Sequence, residues 1–148
     1  MGQQQLLLII LGVIIVGIAV AVGINMFTGG ARDANRDAVI NDLVNLAAKA
    51  QQFYRRPQSL GGGENSFGGF KLNASDTGNA NGSYSVTDTE PADADYVAGD
   101  TTRVGTLGSA LGTIFIVGCG KEIGNDGVNQ VKAFIRVSAT AQPSAVLN

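Results

Sequence analysis

Residues 6–27 read LLLIILGVIIVGIAVAVGINMF, and Asn25 is the only polar side chain among them. As a helix this run is about 33 Å long, close to the hydrocarbon thickness of a bilayer. Each Leu, Ile and Val favours membrane insertion by roughly 0.3–0.6 kcal/mol, which together outweigh the glycines and the one Asn. A helix apolar on every side has to be covered on every side, by lipid or by other helices. The run is too long for the core of a cleaved secretory signal, and no basic residue precedes it.

A different pattern follows. Thr28-Gly29-Gly30 is a weak point, since each glycine costs a helix interior about 1 kcal/mol relative to Ala. From about residue 31 to 55, Ile40, Leu43, Ala47, Ala50 and Tyr54 recur at helical spacing, and Val39, Leu46 and Phe53 widen the stripe. Asn41, Asn45, Lys49 and Gln52 fall mainly on the other faces. This predicts an amphipathic helix able to cover a sheet, ended by Pro57 and Gly61-Gly62-Gly63. Joined to the first stretch, it makes a helix of roughly 75 Å, too long for one small globule to bury.

Beyond the glycine-rich loop 61–69, anchored by Phe67 and Phe70, the periodicity turns to two. Residues 70–72 are a weak strand candidate, residues 83–87 alternate as a half-buried strand does, and residues 113–117 are a strong strand. Residues 130–138 form another, with Val131, Ala133, Ile135 and Val137 on one face. The turn signal Gly124-Asn125-Asp126-Gly127 predicts that these last two make an antiparallel hairpin. Residues 88–98 read as acidic loop, 102–111 are ambiguous, and the tail from 139 onward shows no clear pattern.

Charge sharpens the division. No charged side chain precedes Arg32, and all 10 basic and 12 acidic residues follow. Arg32 and Arg36 lie just after the apolar run, so the positive-inside rule would put the C-terminal part in the cytoplasm. The conflict vanishes if a basic leader once preceded Met1, and processing at Met1 is the expectation. The net charge of −2 and pI near 4.9 give no basic face for nucleic acid. The absence of His excludes a Cys–His dyad and His metal ligation. Cys119, the single cysteine, cannot form an intramolecular disulfide and is expected as a small buried thiol.

Candidate chemistry is sparse. Residues 76–82, DTGNANG, suggest an oxygen-lined calcium loop, but Thr77 falls where the first Asp ligand belongs, so a solvated turn is the default. The acidic stretch Asp88, Glu90, Asp93, Asp95, Asp100 reads as a wet surface. Asn73-Ala74-Ser75 and Asn81-Gly82-Ser83 are sequons, making Asn73 and Asn81, with Ser75 and Ser83, candidate glycan acceptors. Residues 61–63 lack the Gly-Lys-Ser/Thr of a phosphate loop, and Arg55-Arg56 suits the C-terminal end of a helix dipole. No acid–base pair or nucleophile constellation stands out. An enzyme is not expected, and no cofactor or metal is implied.

An apolar N-terminal helix (6–27), its amphipathic continuation (39–54), a glycine-rich loop (61–69) and antiparallel strands (113–117, 130–138) occur in that order. In this the chain resembles the type IV pilins and their relatives. The resemblance implies an α+β fold with three parts: an apolar helix over 1–30, an amphipathic helix over 31–56, and the loop and β domain over 57–148. It implies an inner-membrane precursor, a prepilin peptidase that trims a leader and methylates the new N-terminus at Met1, and an assembly ATPase. Subunits would then form an extracellular helical filament serving adhesion, motility or DNA uptake. A pseudopilin of a type II-like secretion system and a single-pass anchored binding domain are the alternatives.

Two departures from the family pattern stand out. Gln5 occupies the position of a usual glutamate, and the apolar run has no central proline, though Gly23, Gly29 and Gly30 offer a comparable weakness. From the physics alone, Gly12, Gly17 and Gly23 let neighbouring helices approach closely. The expected helix–helix contacts between copies are Gln5, Leu6, Leu7, Ile10, Gly12, Ile14, Gly17, Val20, Gly23 and Phe27. A contact between two different patches need not close, and so gives a filament.

Overall fold

A computed structural model describes residues 2–91, 107, 112–124, 128–140 and 144–147. One helix, α1 (Gly2–Arg55), takes up 54 residues, about 81 Å of rise. It runs without a break through Thr28-Gly29-Gly30, so the expected weak point remains helical. There the Thr28 hydroxyl donates to the Ile24 carbonyl, one turn back, at 2.5 Å.

A short 3-10 turn (Gln58–Leu60) follows, closed by Gly61 in the left-handed region at φ 73°. The chain then folds back and caps α1. The backbone N–H groups of Gly63, Asn65 and Glu64 donate to the carbonyls of Phe53, Tyr54 and Arg56, at 2.9, 2.9 and 3.0 Å. These bonds satisfy acceptors that a helix end leaves open. Phe67 is fully buried and packs on Tyr54, with ring centroids 4.8 Å apart; Phe70 packs on Phe53 at 5.4 Å. The loop is therefore nailed to the last turn of the helix by two aromatic pairs, as the sequence suggested for Phe67 and Phe70.

Among the described residues four strands make one antiparallel sheet in chain order: β1 (Gly82–Thr87), β2 (Thr113–Ile123), β3 (Gln130–Ser138) and β4 (Ser144–Leu147). The β2–β3 hairpin and the bounds of β3 match the sequence pattern. Residues 70–72 are a correction, since they form no strand. The Phe70 N–H donates to the Phe67 carbonyl in a turn, and Phe70 and Leu72 plug the core with Lys71 exposed between them. The alternation there reflects two anchors on an irregular segment. Of the turn signal at 124–127, only Gly124 lies among the described residues; its N–H donates to the Asn129 carbonyl at 2.6 Å. Most of the ambiguous 102–111 segment, and Asp93, Asp95 and Asp100, lie outside them, as does Met1.

The C-terminal half of α1 lies across the inner face of the sheet. Val39, Leu43, Leu46, Ala47 and Ala50 are buried against Tyr84, Val86, Ile114, Ile116, Ala133, Ile135 and Val137. Ile40, read as part of the stripe, is only half-buried, because the packing line runs through Val39. β2 is covered on both faces, and on the outer one Phe115, Val117 and Phe134 form a second cluster with the phenylalanine rings edge-on at 6.1 Å. Burial on both sides explains why this strand reads as a continuous apolar run.

β2 also outlasts its apolar signal, continuing through Gly118-Cys119-Gly120 to Ile123. The glycines let the helix come close. A Cβ on Gly118 would stand 3.0 Å from Val39 Cγ1 and 3.1 Å from the Tyr84 ring, and one on Gly120 would strike Asn35 Oδ1. Cys119, on the outer face between them, is buried, and that burial pushes its thiol above the ordinary range.

Candidate functional site

The feature with no use inside the chain is the N-terminal half of α1. Every large apolar residue from Leu6 to Phe27 is between 49% and 83% exposed. None of this apolar window is buried by the rest of the molecule. A soluble domain does not leave so much contiguous apolar surface in water. The rod is thus a surface for something else, and its length and composition suit a membrane crossing.

Its glycines point the same way. A Cβ on Gly12, Gly17 or Gly23 would meet nothing within 4 Å. Each glycine weakens the helix by about 1 kcal/mol relative to Ala, and nothing within the chain offsets that cost by close packing. Gly12 and Gly23, eleven residues apart, fall within about 20° of each other on the helix, with Gly17 on another side. Small residues on more than one side fit close neighbours on more than one side. Of the other expected contact residues, Gln5, Leu6, Leu7, Ile10, Ile14, Val20 and Phe27 are all exposed on this rod. The structure places the ten on one continuous element and, among the described residues, brings no other part of the chain to them.

A collar of charge follows the rod. Arg32, Asp33, Arg36 and Asp37 occupy the next two turns, and the Nε atoms of Arg32 and Arg36 are buried without a hydrogen-bond partner. A salt bridge lies further on, between Lys49 Nζ and Asp76 Oδ1 at 2.7 Å.

A polar clasp, which sequence reasoning missed, ties α1 to the loop before β1. Asp42 Oδ2 accepts from Asn79 Nδ2 at 2.8 Å, Asn81 Nδ2 at 3.0 Å and the Tyr84 hydroxyl at 2.7 Å. Partial burial pushes the Asp42 carboxyl up, but the three donors outweigh it and hold it below its ordinary value. Burial first, then the bond to Asp42 and its charge, push the Tyr84 phenol well above its usual range. About two turns earlier, Asn35 Nδ2 donates to the Asn81 carbonyl at 2.9 Å and Asn35 Oδ1 accepts from the Glu122 N–H at 3.4 Å. That second bond falls where the β2–β3 register shifts, between Cys119 and Ile123. The partners are some forty residues apart or more, so no local motif could have announced them.

The clasp also fixes what the 76–82 loop does. Asp76 is held by Lys49, and Asn79 Oδ1 accepts the N–H groups of Asn81 and Gly82. The oxygens of the would-be cation loop are spent on the protein itself. The two sequons differ. Asn73 is exposed, whereas Asn81 is half-buried with its amide nitrogen on Asp42, so a glycan there would have to break the clasp.

No protein family matches the chain, and comparison with curated proteins and with solved structures finds no match either. The long apolar N-terminal helix packed on a small antiparallel sheet is compatible with a pilin-like fold.

Proposed function

We propose that the chain is the structural subunit of an extracellular filament of the type IV pilus kind, polymerising through its N-terminal helix. One observation carries the reading: a rod apolar all round and exposed all along continues, with no break in the helix, into a folded α+β head. In the inner membrane, lipid covers the rod. In a filament, the rods of neighbouring copies do so, and the heads face outward. Moving from lipid to bundle gains little from the hydrophobic effect, because both surroundings are apolar; close packing at Gly12, Gly17 and Gly23 supplies the preference. The fibre, not the single subunit, would carry adhesion, motility or DNA uptake.

A single-pass anchor for a binding domain is the second reading, favoured by the match between the rod and a bilayer's thickness. It leaves the three open glycines without a purpose. Electron microscopy of material sheared from the cell surface, with the chain identified in it by mass spectrometry, separates the two. Long thin fibres made of this chain are expected; a chain found only as a detergent-soluble monomer would sink the filament.

A further inference from the structure

The rod contains few polar atoms, and their arrangement is informative. Before Ala31 the polar side chains are Gln3, Gln4, Gln5, Asn25 and Thr28. Thr28 satisfies itself on the Ile24 carbonyl. Gln5 and Asn25 are exposed, and neither side chain makes a hydrogen bond within the chain among the described residues. In the dry interior of a bundle, an amide without a partner is costly, and apolar neighbours offer it none. A partner for Asn25 therefore has to come from the few polar positions of another rod.

Spacing selects one. Twenty residues separate Gln5 from Asn25, about 30 Å of rise and, at about 100° per residue, a net turn of about 200°. Two parallel copies lying side by side with little relative rotation face each other with opposite sides, which requires about 180°. Gln4 and Gln3, one and two residues further away, come to about 300° and 40°, and so point elsewhere.

We propose that, in the filament argued for above, Gln5 of one copy hydrogen-bonds Asn25 of a neighbouring copy displaced by about 30 Å along the axis, and that this pair sets the register of the bundle. The occupant of this face is a second copy of the chain. Single buried Asn residues fix register in coiled coils for the same reason: any slip leaves an amide unpaired in an apolar seam. Each copy offers one Gln5 and one Asn25 at opposite ends of the rod, so the contact is head-to-tail and propagates without closing.

Disulfide trapping tests this in assembled fibres. Cys119 is first replaced by Cys119→Ala, and Gln5→Cys and Asn25→Cys are then introduced together. Mild oxidation is expected to convert the fibres into a ladder of covalent multimers on a denaturing gel. The pair Gln5→Cys with Val16→Cys, offset by about 16 Å, is expected to remain monomeric. Intact fibres that stay monomeric with the first pair, or ladder equally with both, overturn the register. Should cysteines block assembly, the heat dissociation of fibres carrying Gln5→Leu, Asn25→Leu or both gives a second test. Each single change is expected to lower the dissociation temperature and the double change to recover it; independent, additive effects overturn the pair. If the unaltered chain forms no fibre at all, the filament reading itself has failed, and a different result has been obtained from a fibre with the wrong register.

Discussion

The two halves of α1 are built from the same secondary structure by opposite rules. Residues 6–27 are apolar on all sides, uncharged and exposed; residues 39–54 carry one apolar stripe sealed against a sheet and are mainly polar elsewhere, Val44 being the exposed exception. In the second half, intrachain contacts explain each large apolar residue on the stripe. In the first, they explain none. Burial is thus the discriminating quantity: a contiguous apolar run left uncovered by its own chain calls for cover from elsewhere.

The contrast can be broken most sharply at Gly17. Gly17→Asp would put a carboxylate into the packed rod, at a cost of roughly 3 kcal/mol or more per subunit. Fibre assembly is expected to vanish while the circular dichroism of the detergent-solubilised chain stays unchanged. Fibres of normal yield would remove the rod from the contact surface. Stability separates the halves next. Leu43→Ala is expected to lower the unfolding free energy of the head by about 2–5 kcal/mol, as for a fully buried leucine. Leu7→Ala, on the exposed rod, is expected to leave denaturation of the solubilised monomer within about 0.5 kcal/mol of the parent. Equal losses at both positions would mean that the rod folds back on its own head.

The smallest effect concerns the clasp. Because the Asp42 carboxyl is held below its ordinary 3.8, its contribution is present above that pH and drains away as the pH falls through the lower folded value. The Tyr84 phenol is shifted the other way, so its contribution is whole below 10.0 and is lost as the pH rises further. Asp42→Asn is expected to cost about 1 kcal/mol at neutral pH, less than a buried bond to a charged group because the site is partly in solvent. It should also flatten both limbs of a denaturation profile taken against pH. An unchanged acid limb would show that Asp42 does not anchor the loop.

Much of this architecture could be read from the chain, and where it could not, the reason is physical. The rod, the stripe and β3 were legible because one periodicity dominates each. β2 was legible only to Val117, since Gly118, Gly120, Lys121 and Glu122 look like the end of a strand. They extend it because Val39 and Asn35 need the space a missing side chain leaves. Residues 70–72 misled for the converse reason, two anchors two residues apart mimicking alternation. The Asp42 clasp was invisible, because its partners meet only once the helix has settled on the sheet. Of the proposed assembly surface, the sequence reveals the element and its small residues; its geometry would belong to more than one chain.

The uninterrupted helix has a mechanical corollary. Head and rod share a single ladder of backbone hydrogen bonds, so tension applied to the proposed fibre would pass through every turn between them. At Gly29 and Gly30 that ladder has no side chain to brace it. A residue pulled from helix to extended chain lengthens from about 1.5 to about 3.4 Å, so these turns would yield first and act as a spring. Gly29→Ala with Gly30→Ala should raise the force of the first yielding step in a stretching experiment, and an unmoved step would place the compliance elsewhere.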